Sequence, residues 1–200
     1  MKYLLFAAAI GFLSACSGNN KEEKGESAPA EAMTPKTVQV SAATTSSITN
    51  MLASYYQLKE ALVEYDTAAA NKAATSLVTA ADSVNTKEIT DSALAITLQN
   101  FSGSIASEAK ALAGEPDLVE KKRSFSMITE NLYPILQAVQ YNETVIYHQM
   151  CPMAFNDNEA AFWLSNNREV VNPYLGKKHP KYASGMLHCG EVKDSLAYAK

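Results

Sequence analysis

From Ile48 onward, apolar residues recur at alternating spacings of three and four. Met51, Tyr55, Leu58, Leu62, Tyr65 and Ala69 form one such series, the signature of a single stripe along a helix. Asp66 is suited to cap a following segment whose stripe runs through Ala70, Ala73, Leu77, Ala81 and Val84. A break near Asn85-Thr86 precedes a third stripe: Leu94, Leu98, Phe101, Ile105, Ala109 and Leu112. Gly114-Glu115-Pro116-Asp117 then combines a stop, a breaker and a new cap. A fourth stripe holds Phe125, Ile128, Leu132, Ile135 and Val139, with Pro134 expected to kink it. Four amphipathic helices with short connections predict an all-α fold, an antiparallel four-helix bundle over residues 48–142. Its interior stripes contain no His, no Cys and no inward-looking carboxylate pair. Tyr55 and Tyr65 read as amphipathic core residues, and the bundle reads as scaffold.

After Gln140 the pattern changes. Three prolines (Pro152, Pro173, Pro180) and three glycines (Gly176, Gly185, Gly190) fall close together. They predict that residues 143–200 form a turn-rich tail folded back on the bundle. A short helix or strand around Ala160 to Ser165 would bury Phe162, Trp163 and Leu164.

The N-terminus follows a different logic. Lys2, an apolar run from Leu4 to Phe12, and Leu13-Ser14-Ala15-Cys16 have the layout of an export signal, the apolar run being too short for a permanent span. Residues 1–15 are therefore expected to be removed. The Leu-Ser-Ala-Cys ending resembles a bacterial lipobox, which implies lipidation of Cys16 and anchoring to a membrane. Residues 16–47 are polar, carry Pro29 and Pro35 and lack apolar periodicity, as a flexible linker would. Coil scaling gives such a tether a reach of about 30 Å. The expected location is the bacterial cell envelope, most simply the outer membrane facing the periplasm.

Length and charge narrow the field. A chain of 200 residues with 19% charged side chains and a net charge of −4 can build one domain with a real core. Nothing in it suggests a nucleic-acid surface. The chemistry is concentrated between Val145 and Val192, which holds all three histidines (His148, His179, His188), the only tryptophan, both cysteines left after Cys16, and Met150, Met153 and Met186. Thiols and thioethers are soft donors suited to Cu(I), whereas hard cations prefer carboxylate oxygens.

Within this stretch, Cys151-Pro-Met153-Ala, Phe162-Trp-Leu-Ser165, Asn172-Pro-Tyr-Leu-Gly176 and Met186-Leu-His-Cys-Gly190 resemble, in order, a domain-of-unknown-function family. That family occurs in envelope lipoproteins and as an appendage of heavy-metal efflux adaptor proteins. The resemblance covers roughly residues 48–192, weakly over the helices and specifically over the tail. It implies a helical domain associated with copper or related metals, its motif sulfurs falling on Cys151, Met153, Met186 and Cys189. A long insert from Lys177 to Gly185 departs from the shorter family versions and leaves the role of His179 open.

Converging the two sulfur pairs would create a Cu(I) site, with His188 or His148 as an additional donor. Two other readings stand beside it. An exported chain with two remaining cysteines often carries a disulfide, and closing the Cys151–Cys189 loop could add about 4 kcal/mol in the chain-entropy model. A Zn(II) site could instead combine both thiolates with His188 and either His148 or His179. The chain has no Cys-x-x-Cys, no Gly-rich phosphate loop and no serine-nucleophile motif, so an enzyme is not expected. The expected partners are a metal ion, a membrane through Cys16, and metal efflux or chaperone proteins.

Overall fold

A computed structural model describes residue 38 and residues 40–199. The expected signal, Cys16 and most of the expected linker lie outside these residues. Four helices come first: α1 (Ala42–Glu64), α2 (Thr67–Asp82), α3 (Ser92–Gly114) and α4 (Leu118–Ala138). Three strands follow: β1 (Ile146–Phe155), β2 (Glu159–Ser165) and β3 (Glu191–Leu196). The expectation of an all-α chain is therefore overturned: the predicted turn-rich tail is built around an antiparallel sheet of order β2-β1-β3.

The helices begin where short polar side chains satisfy their unpaired amides. Ser41, Asp66, Asp91 and Asp117 each accept from backbone N–H groups of the first turn. Because Ser41 provides the first of these caps, α1 starts at Ala42, six residues before the apolar stripe. It ends at Tyr65, whose left-handed backbone (φ 59°) lets its N–H reach Leu62 O and leaves Ala69 exposed on the next helix. The predicted stripes otherwise face inward: Met51, Tyr55, Leu58, Leu62, Leu77, Leu98, Ile105, Phe125, Ile128 and Leu132 are all fully buried. Burying such side chains contributes roughly 1.5–3 kcal/mol each relative to exposure. Pro134 is accommodated inside α4, which continues to Ala138.

Each helix packs on its successor, and α1 meets α4 through the Tyr55 ring, stacked 5.0 Å from that of Phe125. Two buried lysines add polar ties. Lys121 Nζ donates to Leu112 O at the end of α3 and to Asn71 of α2, supplying a cation at the negative end of the α3 dipole. Lys122 Nζ donates to Tyr174 O in the loop between β2 and β3.

The sheet forms because β1 and β2 are joined by Asn156 and Asp157, both at positive φ (50° and 62°), with Asn158 N–H donating back to Phe155 O. This is the turn geometry that matches strand twist, and Asn and Asp are the non-glycine residues that tolerate it best. From Tyr147↔Ser165 to Cys151↔Ala161 the pairing is regular, so alternate residues face opposite sides. One face carries Ile146, His148, Phe162 and Leu164 toward α4. The other carries Gln149, Cys151 and Trp163 beneath the loop that returns to β3.

The outer edge of β2 is closed by side chains. Leu164 N–H donates to Tyr55 Oη (2.9 Å), which in turn hydrogen-bonds Thr129 (2.8 Å), while Tyr174 Oη donates to Phe162 O. An exposed edge would otherwise offer these groups to another chain. Tyr55 is thus more than core filler. It is the polar link between bundle and sheet.

Candidate functional site

The two cysteines meet. Cys151 is fully buried in the central strand, and Cys189 stands just before β3; their sulfurs are 3.2 Å apart and both are free thiols. Their encounter follows from how the loop between β2 and β3 is pinned. Asn172 is buried and works in four directions. Its Nδ2 donates to Cys189 O (2.7 Å), its Oδ1 accepts from Tyr174 N and Leu175 N, and its own N–H donates to Leu187 O. Gln149, one residue pair from Cys151 on the same face, donates from Nε2 to the carbonyls of Asn167, Arg168 and Glu169.

Gly190 completes the approach. Its φ of +138° is one that L side chains rarely adopt, and a Cβ there would lie 2.6 Å from Met150 O and 2.9 Å from Trp163 Cη2. In the sequence Asn172 is legible only as part of a turn, and Gln149 gives no signal at all. Both act through long-range backbone partners, which local sequence does not reveal.

Cys189 differs from an ordinary solvated thiol. Burial and the neighbouring Cys151 thiol push the pKa of Cys189 up to about 11, since both disfavour a thiolate. At neutral pH Cys189 is therefore a protonated thiol. Any ion bound at Cys189 has to displace its proton, which makes binding stronger as pH rises.

The other expected ligands are distributed unevenly. Met153 and Met186 are half-buried and pack against the same core as Cys189. His188 is exposed on the residue before Cys189, its Nδ1 2.7 Å from Val170 O. A carbonyl partner fixes the proton on Nδ1 and leaves the Nε2 lone pair available, the arrangement found in metal-ligating histidines.

His148 is placed elsewhere. It lies three residues from Cys151 along a regular strand, hence on the opposite face, sandwiched between Tyr133 (4.1 Å) and Phe162 (4.7 Å). Burial lowers its pKa, partly countered by Asp194. His179 sits in a separate cleft, stacked on Tyr182 with Nδ1 accepting from Lys181 N–H. Among the described residues, no group of three or more His, Cys, Asp or Glu side chains converges as a metal site. A Cys₂His₂ zinc set is not assembled in this arrangement, and a third donor to the thiol pair would have to be a thioether or a displaced His188.

Trp163 is fully buried, as expected of the segment from Ala160 to Ser165, with its ring edge-on to Tyr174 at 6.1 Å. Its Nε1 and the Oε1 of Gln149 are buried without a hydrogen-bond partner. No described helix is long and apolar enough to cross a membrane.

No curated protein and no solved structure matches the chain. A family model does, and it falls on the helices, ending before Cys151 and so leaving out both thiols and every strand. Residues 51–144 match the family described as protein of unknown function (DUF3347).

Proposed function

We propose that this chain is an envelope protein, lipid-anchored through Cys16, that sequesters Cu(I) or passes it to an efflux system. One observation carries the reading: two free thiols, from a central strand and a pinned loop, 3.2 Å apart. Two thiolates bound to one ion at about 2.3 Å each, with a tetrahedral angle, stand roughly 3.7 Å apart. The pair would need to widen by only about half an ångström, whereas a disulfide requires closing to about 2.05 Å. Each thiol would release a proton as its sulfur bonds the metal. Met153, two residues from Cys151, and Met186, whose carbonyl accepts from Cys189 N–H, would supply uncharged soft donors, a set suited to Cu(I) rather than to a hard cation.

Anaerobic titration of the reduced protein against a colorimetric cuprous chelator tests this. One equivalent of Cu(I) should be withdrawn from the chelator, and Cys151→Ser or Cys189→Ser should abolish the withdrawal. Met153→Leu with Met186→Leu should weaken Cu(I) and leave any Zn(II) affinity unchanged. Failure of the reduced wild type to compete would end the copper reading.

The same proximity supports a second reading, in which Cys151 and Cys189 form a disulfide that staples the loop to the sheet and the surface of the helices is the working part. Mass analysis of protein taken from the envelope separates the two. A mass lower by two hydrogens that resists mild reductant favours the staple; freely alkylated thiols favour the metal site.

A further inference from the structure

Lys122 is a second chemical anomaly, remote in kind from the thiols. Its side chain is buried, with a relative exposure of 4%. Its Nζ donates to Tyr174 O at 2.7 Å and lies 3.7 Å from the centre of the Tyr65 ring. No carboxylate of the described residues forms an ion pair with it. Burying an ammonium without a counter-charge is costly, and burial lowers its pKa to about 7. A carbonyl and a π-face offset that cost only in part.

Lys122 lines a cleft of about 690 Å³, within the size range of small-molecule sites, together with Tyr65 and Tyr174, the two residues its ammonium meets. Tyr65, Leu118 and Phe155 give it apolar walls, and Lys178 and His179 stand on its rim. The two carboxylates on the cleft are already engaged. Asp117 caps α4 through Val119 N–H and Glu120 N–H, and Asp157 is tied to Lys181 and Tyr182. Lys178, exposed beside His179, has no ion pair among the described residues. His179 presents Nε2–H, because its Nδ1 accepts from Lys181 N–H. The cleft therefore carries two lysines, Lys122 and Lys178, that its own carboxylates do not pair.

The walls are also held in place. Tyr65 Oη donates to Leu175 O, and Lys177 N–H donates to Val63 O, stitching the loop to the end of α1. Gly176, at φ +53°, lets the two backbones approach so closely that a Cβ would fall 2.6 Å from the Tyr65 ring. The cleft is thus preformed, which reduces the ordering cost of binding.

We propose that this cleft binds a small organic carboxylate, its charge paired with the Lys122 ammonium and its apolar body lying against Leu118 and Phe155. The proposal is independent of the thiol pair and of copper.

Titration of the full chain with benzoate by calorimetry or ligand-observed NMR tests it. Benzoate should bind with a Kd below about 1 mM, and Lys122→Met, which keeps the aliphatic stem, should weaken it by about tenfold or more. Neutral benzamide should bind at least about tenfold more weakly than benzoate. Equal binding of benzoate and benzamide, or equal binding of benzoate to wild type and Lys122→Met, would overturn the proposal. So would phenyl phosphate binding more than about tenfold tighter than benzoate, since the site would then select phosphate. Should Lys122→Met not fold, NMR shift mapping of the wild type provides an independent test. Benzoate should shift resonances of Lys122, Tyr65 and Phe155 and leave Lys72 and Lys110, exposed on the helices, unmoved; absence of shifts at Lys122 overturns the assignment.

Discussion

Gly190→Ala is the sharpest probe of how the thiols are brought together. The new Cβ would lie 2.6 Å from Met150 O and 2.9 Å from Trp163 Cη2. Neither neighbour can yield cheaply. Met150 belongs to the central strand, paired with Phe162 on one side and Glu191 on the other, and Trp163 is fully buried. A φ of +138° adds backbone strain of about 1–3 kcal/mol for a residue with a side chain. Relieving the overlap in a packed region costs about another 1–3 kcal/mol. The total of roughly 2–6 kcal/mol corresponds to a fall in Tm of about 4–24 °C at this chain length. Because the strand holds, the loop must move, and Cys189 moves with it. Thermal unfolding of the reduced protein should therefore show the loss of stability, and a thiol titration under mild oxidant should show slowed pairing of the two cysteines. Gly103→Ala is the control: Gly103 is exposed in the middle of α3 with nothing within 4 Å of the new Cβ, so it should gain about 0.5–1 kcal/mol. If Gly190→Ala lies within about 0.5 kcal/mol of wild type and its thiols pair at an unchanged rate, the loop does not cross the sheet tightly against Met150 and Trp163.

Other outcomes follow from single interactions. Tyr55→Phe keeps the ring on Phe125 but leaves Leu164 N–H buried without its acceptor. Chemical denaturation should show a loss of about 1–3 kcal/mol, with faster hydrogen exchange at Leu164; unchanged exchange there would contradict the edge-closing role. Asn172→Ala removes the acceptor of two buried N–H groups and the donor to Cys189 O. It should cost a similar amount or more and raise the alkylation rate of Cys189 in the reduced protein. The pH dependence has a definite sign. The folded-state pKa of Cys189, about 11, lies above its ordinary value of 9.0, so the folded state retains the proton that the unfolded chain loses first. The reduced protein should keep this contribution below pH 9 and lose it between pH 9 and about 11. Cys189→Ser should flatten that part of the stability curve.

The helices are readable because their signals are local. A stripe of apolar residues at spacings of three and four, with Asp66 or Asp117 ahead of it, carries both the face to be buried and the place to begin. The sheet escapes a sequence reading for the same kind of reason in reverse. Its cue, Asn156-Asp157, is two residues long, and Pro152 within β1 argues against a strand. Pro152 is exposed and falls where the regular pairing of β1 with β2 breaks off after Cys151, a position at which a missing N–H does no harm.

The candidate site divides along the same line. Sequence alone places Cys151, Met153, Met186, His188 and Cys189 in one stretch and gives the soft character of their donors, because residue type fixes chemistry. It does not say which of them meet. That depends on strand register, which turns His148 to the opposite face from Cys151, and on Asn172 and Gly190, which set the path of a loop across the sheet. The Lys122 cleft is likewise hidden: lysine in an amphipathic helix reads as a solvated side chain, and only the sheet and its loop, folded over α4, remove it from water. Composition and periodicity determine elements and donors; long-range packing decides what those donors face.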